Sequence, residues 1–238
     1  MTLIRSTLFN VFLILITLIL GIVGLPLVFG PRRSVCRLRD CWIALVLTVL
    51  RWTVGLTHRV EGLENLPAGA YMVASKHQSA WETLALHTIF RDPAIVLKRE
   101  LLKLPILGYY IRKVGMVPID RSGRGVALKS MMSAARRWSA VHRPILIFPQ
   151  GTRIAPGRKE PYHSGVFAIY RTLGVPVVPV ALDSGLFWPR QAFLKRPGTI
   201  TVQILPAIPK GLERREFMTT LERVIETASE ELVPSKVD

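Results

Sequence analysis

The 238-residue sequence predicts an α/β domain: a largely parallel or mixed sheet flanked by helices, preceded by a membrane-associated helix pair. Three observations carry that prediction. From Ser6 to Gly30 the chain has no charged residue, and the run is about the ~20-residue apolar length that crosses a hydrocarbon layer as a helix. Beyond residue 57, short apolar runs alternate with segments of helical periodicity. A hydrophobic content of 50% excludes a disordered or collagen-like chain and suffices for one sizeable core.

The first apolar run exceeds the usual ~7–15-residue core of a cleaved signal peptide, and no small-x-small cleavage site follows it. An anchor is therefore the better expectation. Arg32, Arg33, Arg37 and Arg39 come next, then a second apolar stretch from Cys41 to Leu56. Arg51 interrupts that stretch, and Trp42 and Trp52 stand near its ends, which suits a membrane interface. Three readings stay open for it: one leg of a hairpin dipping into a single leaflet, a true crossing, or a buried core helix. The division expected is 1–56 as a membrane-embedded helical hairpin or anchor and 57–238 as the α/β domain. Cations crowded beside the membrane segment favour the cytoplasmic face. Cys36 and Cys41, without histidine neighbours, suggest neither a zinc site nor a disulfide framework.

In the second part, 70–75, 94–98, 116–120, 144–149, 175–182 and 199–206 read as strands, most of them continuously apolar, as strands buried on both faces should be. Segments 79–90, 124–140 and 165–173 read as helices. So does 212–232, where Leu212, Phe217, Leu221, Val224, Ile225, Ala228 and Leu232 fall at helical spacing.

A formal charge of +16 implies an anionic partner: nucleic acid, a phospholipid surface or a phosphorylated substrate. The basic residues are scattered and form no recognised nucleic-acid module, so no nucleic acid is expected. Parallel α/β sheets bind ligands beyond the carboxyl ends of their strands. At those positions lie Lys76 and His77, Lys98 and Arg99, Asp120 and Arg121, Gln150 through Arg153, and Asp183 and Ser184. If the strands are parallel neighbours, one histidine and several cations share a rim suited to an anion. No G-x-S-x-G, H-E-x-x-H or C-x-x-C occurs, and "GTRIAPGRK" lacks the spacing of a phosphate loop.

Ser79 and Glu82 fit the S-x-x-E capping box of a helix start. His77, before the cap, has no part in that motif. On one continuous helix, residues five apart sit about 140° from each other and cannot meet. With His77 in a loop, its imidazole can fold back over the Glu82 carboxylate, which would fix the tautomer and raise the basicity of the other nitrogen.

His77-x4-Glu82, the block "LKRELLKLPILGYYIRKVGMVPIDR", the "FPQGTR" turn and "VPVVPVAL" follow one another between about residues 57 and 210. Together they resemble the four ordered blocks of the glycerolipid acyltransferase family, in particular its bacterial 1-acylglycerol-3-phosphate (lysophosphatidic acid) acyltransferases. The resemblance implies transfer of a fatty acyl group from acyl-CoA or acyl-carrier-protein thioester to the sn-2 hydroxyl of lysophosphatidic acid. The product would be phosphatidic acid for phospholipid biosynthesis, made at the cytoplasmic face of a bacterial inner membrane. The resemblance assigns His77 as general base and Glu82 as its orienting carboxylate. It gives Arg153, Thr152 and Gly151 the acceptor phosphate, with Lys98 and Arg121 as candidates to share that charge. No metal and no cofactor are expected. The commonest pattern has Asn before the histidine, Asp in place of Glu82 and Glu in place of Gln150, which makes Lys76 and Gln150 further site candidates. The alternatives are the same chemistry on another lysolipid, such as a lyso-aminolipid, and a non-catalytic basic membrane-binding module.

Overall fold

The structure, a computed structural model, describes residues 1–119 and 126–233, with the side chains of 126–131 left aside. Its helices are α1 (Thr2–Val23), α2 (Arg32–Val54), α3 (Glu82–Ile89), α4 (Leu107–Val114), α5 (Val126–Ser139), α6 (Gly165–Leu173), the single turn α7 (Ser184–Phe187) and α8 (Arg214–Glu231). Its strands are β1 (Leu56–Glu61), β2 (Met72–Ser75), β3 (Ala94–Lys98), β4 (Val117–Ile119), β5 (Ile145–Ile147), β6 (Val177–Leu182) and β7 (Gly198–Ile204).

The seven strands form one sheet in the order β1-β7-β6-β2-β5-β3-β4. The five from β6 to β4 are mutually parallel, whereas β7 pairs antiparallel to β6 and carries β1 parallel to itself. The sheet is thus mixed. Side chains alternate between two cores. Val73 of β2 and Leu146 of β5 join α2 and α3 on one face, while Met72, Ala74, Ile145 and Ile147 join α6 and α8 on the other. Burial on both faces explains why the central strands read as unbroken apolar runs.

Two elements differ from the sequence expectation. β1, "LTHRVE", is a polar edge strand whose only buried residue is Leu56. An edge strand needs no continuous apolar run, and its charges discourage further pairing. α4 lies inside the "LKRELLKLPILGYYIRKVGMVPIDR" block, where the sequence predicts no helix.

The second apolar stretch is the carboxyl-terminal part of α2. Val35, Ile43, Val46, Leu50 and Val54 are buried at helical spacing, and Val46, Leu50 and Val54 belong to the same core as Val73 and Leu146. Gly55, at φ 77°, ends the helix in the left-handed conformation that glycine adopts without steric cost, so that β1 follows at once. α1 has the opposite character. Ser6 and Phe9 are its buried residues, and Asn10 Nδ2 donates to the Phe193 carbonyl. Leu3, Ile4, Leu8, Val11, Ile14, Leu15, Leu18, Ile19 and Ile22 are half or more exposed. A helix with polar groups turned inward and leucines outward suits a lipid surface, and α1 is the described helix long and apolar enough to cross a membrane.

Candidate active site

β2 and β5 are adjacent and parallel, yet the chain leaves β2 for α3 on one face of the sheet and leaves β5 for α6 on the other. Loops that diverge in this way open a crevice at the carboxyl ends of the two strands. His77 stands at its head.

The histidine is held on three sides. Its Nδ1 lies 2.9 Å from Glu82 Oε1, its ring stacks on Phe148 with centroids 4.0 Å apart and planes 18° from parallel, and its carbonyl accepts the Ile154 amide at 2.7 Å. The side chain is 12% exposed and lines a cavity of about 1210 Å³. Glu82 is fully buried and collects four donors. Oε1 accepts the Gln78 and Ser79 amides, both at 2.6 Å, together with the imidazole, and Oε2 accepts the Ser184 hydroxyl at 2.8 Å. An ionised carboxylate only accepts, so Nδ1 carries the proton and Nε2 is the ring nitrogen left with a lone pair.

Helix capping and histidine orientation therefore share one carboxylate. The Ser79 amide bonds Glu82 as a capping box requires, but Ser79 Oγ accepts the Trp81 amide at 3.1 Å, and regular helix begins only at Glu82. The segment around residues 79–81 is a turn rather than the first helical turn expected. That extra turn lets the chain bring His77 over Glu82.

The "FPQGTR" turn lies against His77 and lines the same cavity. Gly151 has φ 65°, a value that favours glycine, and Gly151, Thr152 and Arg153 all line the cavity with Lys98 from the end of β3. Neither Arg153 nor Lys98 has a side-chain ion pair among the described residues, and the amino terminus of α6 at Ser164 and Gly165 adds its dipole to the same wall. Two cations lining the same cavity as a base form a setting for an anionic group. Arg121 lies outside the described residues. Two other candidates sit elsewhere. Lys76 turns away from the cavity and buries its Nζ against Glu226 of α8, and Gln150 is 3% exposed, with neither amide atom partnered among the described residues.

The cavity continues as an apolar arm between the amino-terminal helices and α4, past Leu20, Leu38, Trp42, Ile43, Leu107 and Ile111. Polar groups there are mostly satisfied internally: the Tyr110 hydroxyl donates to the Gly21 carbonyl and Trp42 Nε1 to Thr17 Oγ1. The sequence alone implies no role for Phe148 or Ser184. Ser184 could be found there only as a strand-end position, and the stacking of Phe148 left no sequence signal.

A histidine–carboxylate pair at a sheet crevice, facing a cationic turn and opening into an apolar arm, defines an acyl-transfer class of site. The family profile described as Acyltransferase matches residues 57–183, and the chain belongs to that family. It is 38% identical over 167 residues to a 1-acyl-sn-glycerol-3-phosphate acyltransferase of Pseudomonas aeruginosa, a match covering 70% of this chain and 65% of that protein. It is 27% identical over 195 residues to 1-acyl-sn-glycerol-3-phosphate acyltransferase alpha of Mus musculus, covering 80% of this chain and 68% of the mouse protein. The crystal structure of the 1-acyl-sn-glycerophosphate (LPA) acyltransferase of Thermotoga maritima superposes with a TM-score of 0.77 at 25% identity, covering 99% of this chain and 100% of that one.

Proposed function

We propose that the protein transfers a fatty acyl group from a thioester donor to the sn-2 hydroxyl of a lysophosphatidic acid, giving phosphatidic acid and a free thiol. The observation that carries this reading is the His77–Glu82 pair, bonded through Nδ1 and lining the same cavity as Arg153. The relatives' names point to the same acceptor.

In the proposed step, the acceptor phosphate rests against Arg153 and Lys98, with Thr152 and the close backbone of Gly151 beside it. Nε2 of His77 accepts the proton of the sn-2 hydroxyl as that oxygen attacks the thioester carbonyl. Glu82 stabilises the imidazolium that forms. The tetrahedral intermediate then expels the thiolate, which takes the proton back from His77, so charge and protons balance. General-base assistance of this kind is worth roughly 10²–10⁴ in rate. The thioester, acyl-CoA or acyl-carrier protein, serves as co-substrate, and each step draws on this chain's own side chains.

The apolar arm receives an acyl chain, and the outward leucines of α1 lie in the membrane that supplies the lysolipid, so no chain has to cross water. Arg32, Arg33, Arg37 and Arg39, in the first turns of α2, favour the cytoplasmic face of a bacterial inner membrane as the setting of this reaction. Purified protein given lysophosphatidic acid and each donor type should release free thiol and form phosphatidic acid. Thiol release that is independent of acceptor, or none with either donor, would overturn the proposal.

A further inference from the structure

The Lys76–Glu226–Tyr162 cluster has no part in the chemistry above, yet it adjoins both walls of the crevice. Lys76 Nζ lies 2.7 and 2.6 Å from the two oxygens of Glu226, and the Tyr162 hydroxyl donates to Oε1 at 2.8 Å. All three side chains are buried, with Lys76 only 2% exposed. Burial and the Glu226 charge push the Tyr162 phenol up, so it stays a donor. A buried ion pair is costly to desolvate and is often no more stabilising than apolar packing, so fixing one arrangement is its best-attested use.

The arrangement fixed here concerns direction. Along β2, Met72 and Ala74 face the α6 and α8 core and Val73 faces the α3 core. That alternation, the period-two rule of extended chain, continues past the strand: Lys76 reaches α8, and His77 stacks on Phe148 of the α3 core. With Lys76 tied to α8, the next side chain must point to the cavity. Tyr162 does the same for the other wall. It precedes His163, whose amide donates at 2.9 Å to the Pro149 carbonyl, beside the Gly151–Arg153 turn.

We infer that Glu226 of α8 is a positioning residue that, through Lys76 and Tyr162, holds the base and the acceptor-binding turn in register across the crevice. The inference rests on the reading of His77 as the general base. It gives a role to a helix outside the matched family segment, 57–183.

The test replaces the charges without opening a hole: Lys76→Met, Glu226→Leu and Tyr162→Phe together. The expected result is a folded protein with a Tm near wild type, and a kcat about 10–10²-fold lower, the loss that small misplacement of reacting groups causes. Thioester hydrolysis should rise relative to transfer, because a displaced acceptor leaves room for water. A merely structural cluster would move neither quantity in a protein of unchanged Tm. If the triple variant does not fold, Lys76→Met with Glu226→Gln, which keeps an acceptor for Tyr162, answers the same question. Wild-type kcat and wild-type partition in either folded variant would overturn the inference. Absence of acyl transfer by the wild-type protein would instead sink the underlying assignment.

Discussion

Glu82 and Asp92 bracket α3, and both are carboxylates that gather several donors, but they gather different kinds. Glu82 takes two amides, a hydroxyl and an imidazole, and is fully buried. Asp92 takes three guanidinium groups, Arg32 at 2.5 Å, Arg39 at 2.6 Å and Arg143 at 3.2 Å, and keeps 28% of its side chain exposed. Arg143 also donates to the carbonyls of Asp92, Pro93 and Gly115. The second cluster fastens α2 to the turn after α3 and saturates its members with one another. Among the described residues the first leaves one atom open, Nε2 of His77, and that opening distinguishes a candidate site from a brace.

The comparison can be broken most forcefully at His77. His77→Ala should lower kcat by roughly 10²–10⁴ while costing about 1–3 kcal/mol of stability, for the lost Phe148 stack and one of the four donors to Glu82. Steady-state thiol release and calorimetry on the same preparation check both halves. Arg153→Ala should act mainly on acceptor binding, raising the lysophosphatidic acid KM on the order of tenfold for one lost charge-assisted contact; an unchanged KM would put the phosphate elsewhere.

On the other side of α3, Asp92→Asn should cost about 1–3 kcal/mol of stability with activity of the folded protein near wild type. Burial alone would raise the Asp92 carboxyl, but the hydrogen bonds from Arg32 and Arg39 and the charge of Arg143 outweigh it and hold it below the usual carboxylate range. A depressed folded value means the stabilisation is present above the unfolded pKa and is lost as pH falls through the folded one. The gap between wild type and Asp92→Asn, read by urea unfolding, should therefore close below about pH 4.

The smallest effect is expected at His87, buried beside the Asp92 cluster with Nδ1 unpartnered among the described residues. Burial first, and then the Arg39 charge, lower it to about 3. His87→Leu should be neutral or stabilising by about 1 kcal/mol near pH 7. Its advantage should grow as pH falls below about 6.5, where the unfolded wild type binds a proton that the folded one refuses.

The parallel centre of the sheet was legible because burial on both faces leaves unbroken apolar runs. β1 was not, since an edge strand with Thr57, His58 and Arg59 carries little of that signal. The pairing of His77 with Glu82 could be reasoned from loop geometry over a few residues. What holds the pair comes from far along the chain: Ser184 from the start of α7, Phe148 from just past β5, and Glu226 by way of Lys76. Local spacing cannot encode such contacts, and for that reason Lys76 read as a cation of the site when it is buried against α8.

Glu82→Gln bears most directly on the claim that one carboxylate both starts a helix and aims a base. Glutamine keeps an oxygen for the Gln78 and Ser79 amides and a partner for Ser184, but removes the charge that supports an imidazolium. Measured side by side, kcat should fall on the order of 10²-fold while Tm stays within a few degrees. Wild-type kcat in that variant would reduce Glu82 to a helix cap and contradict the account.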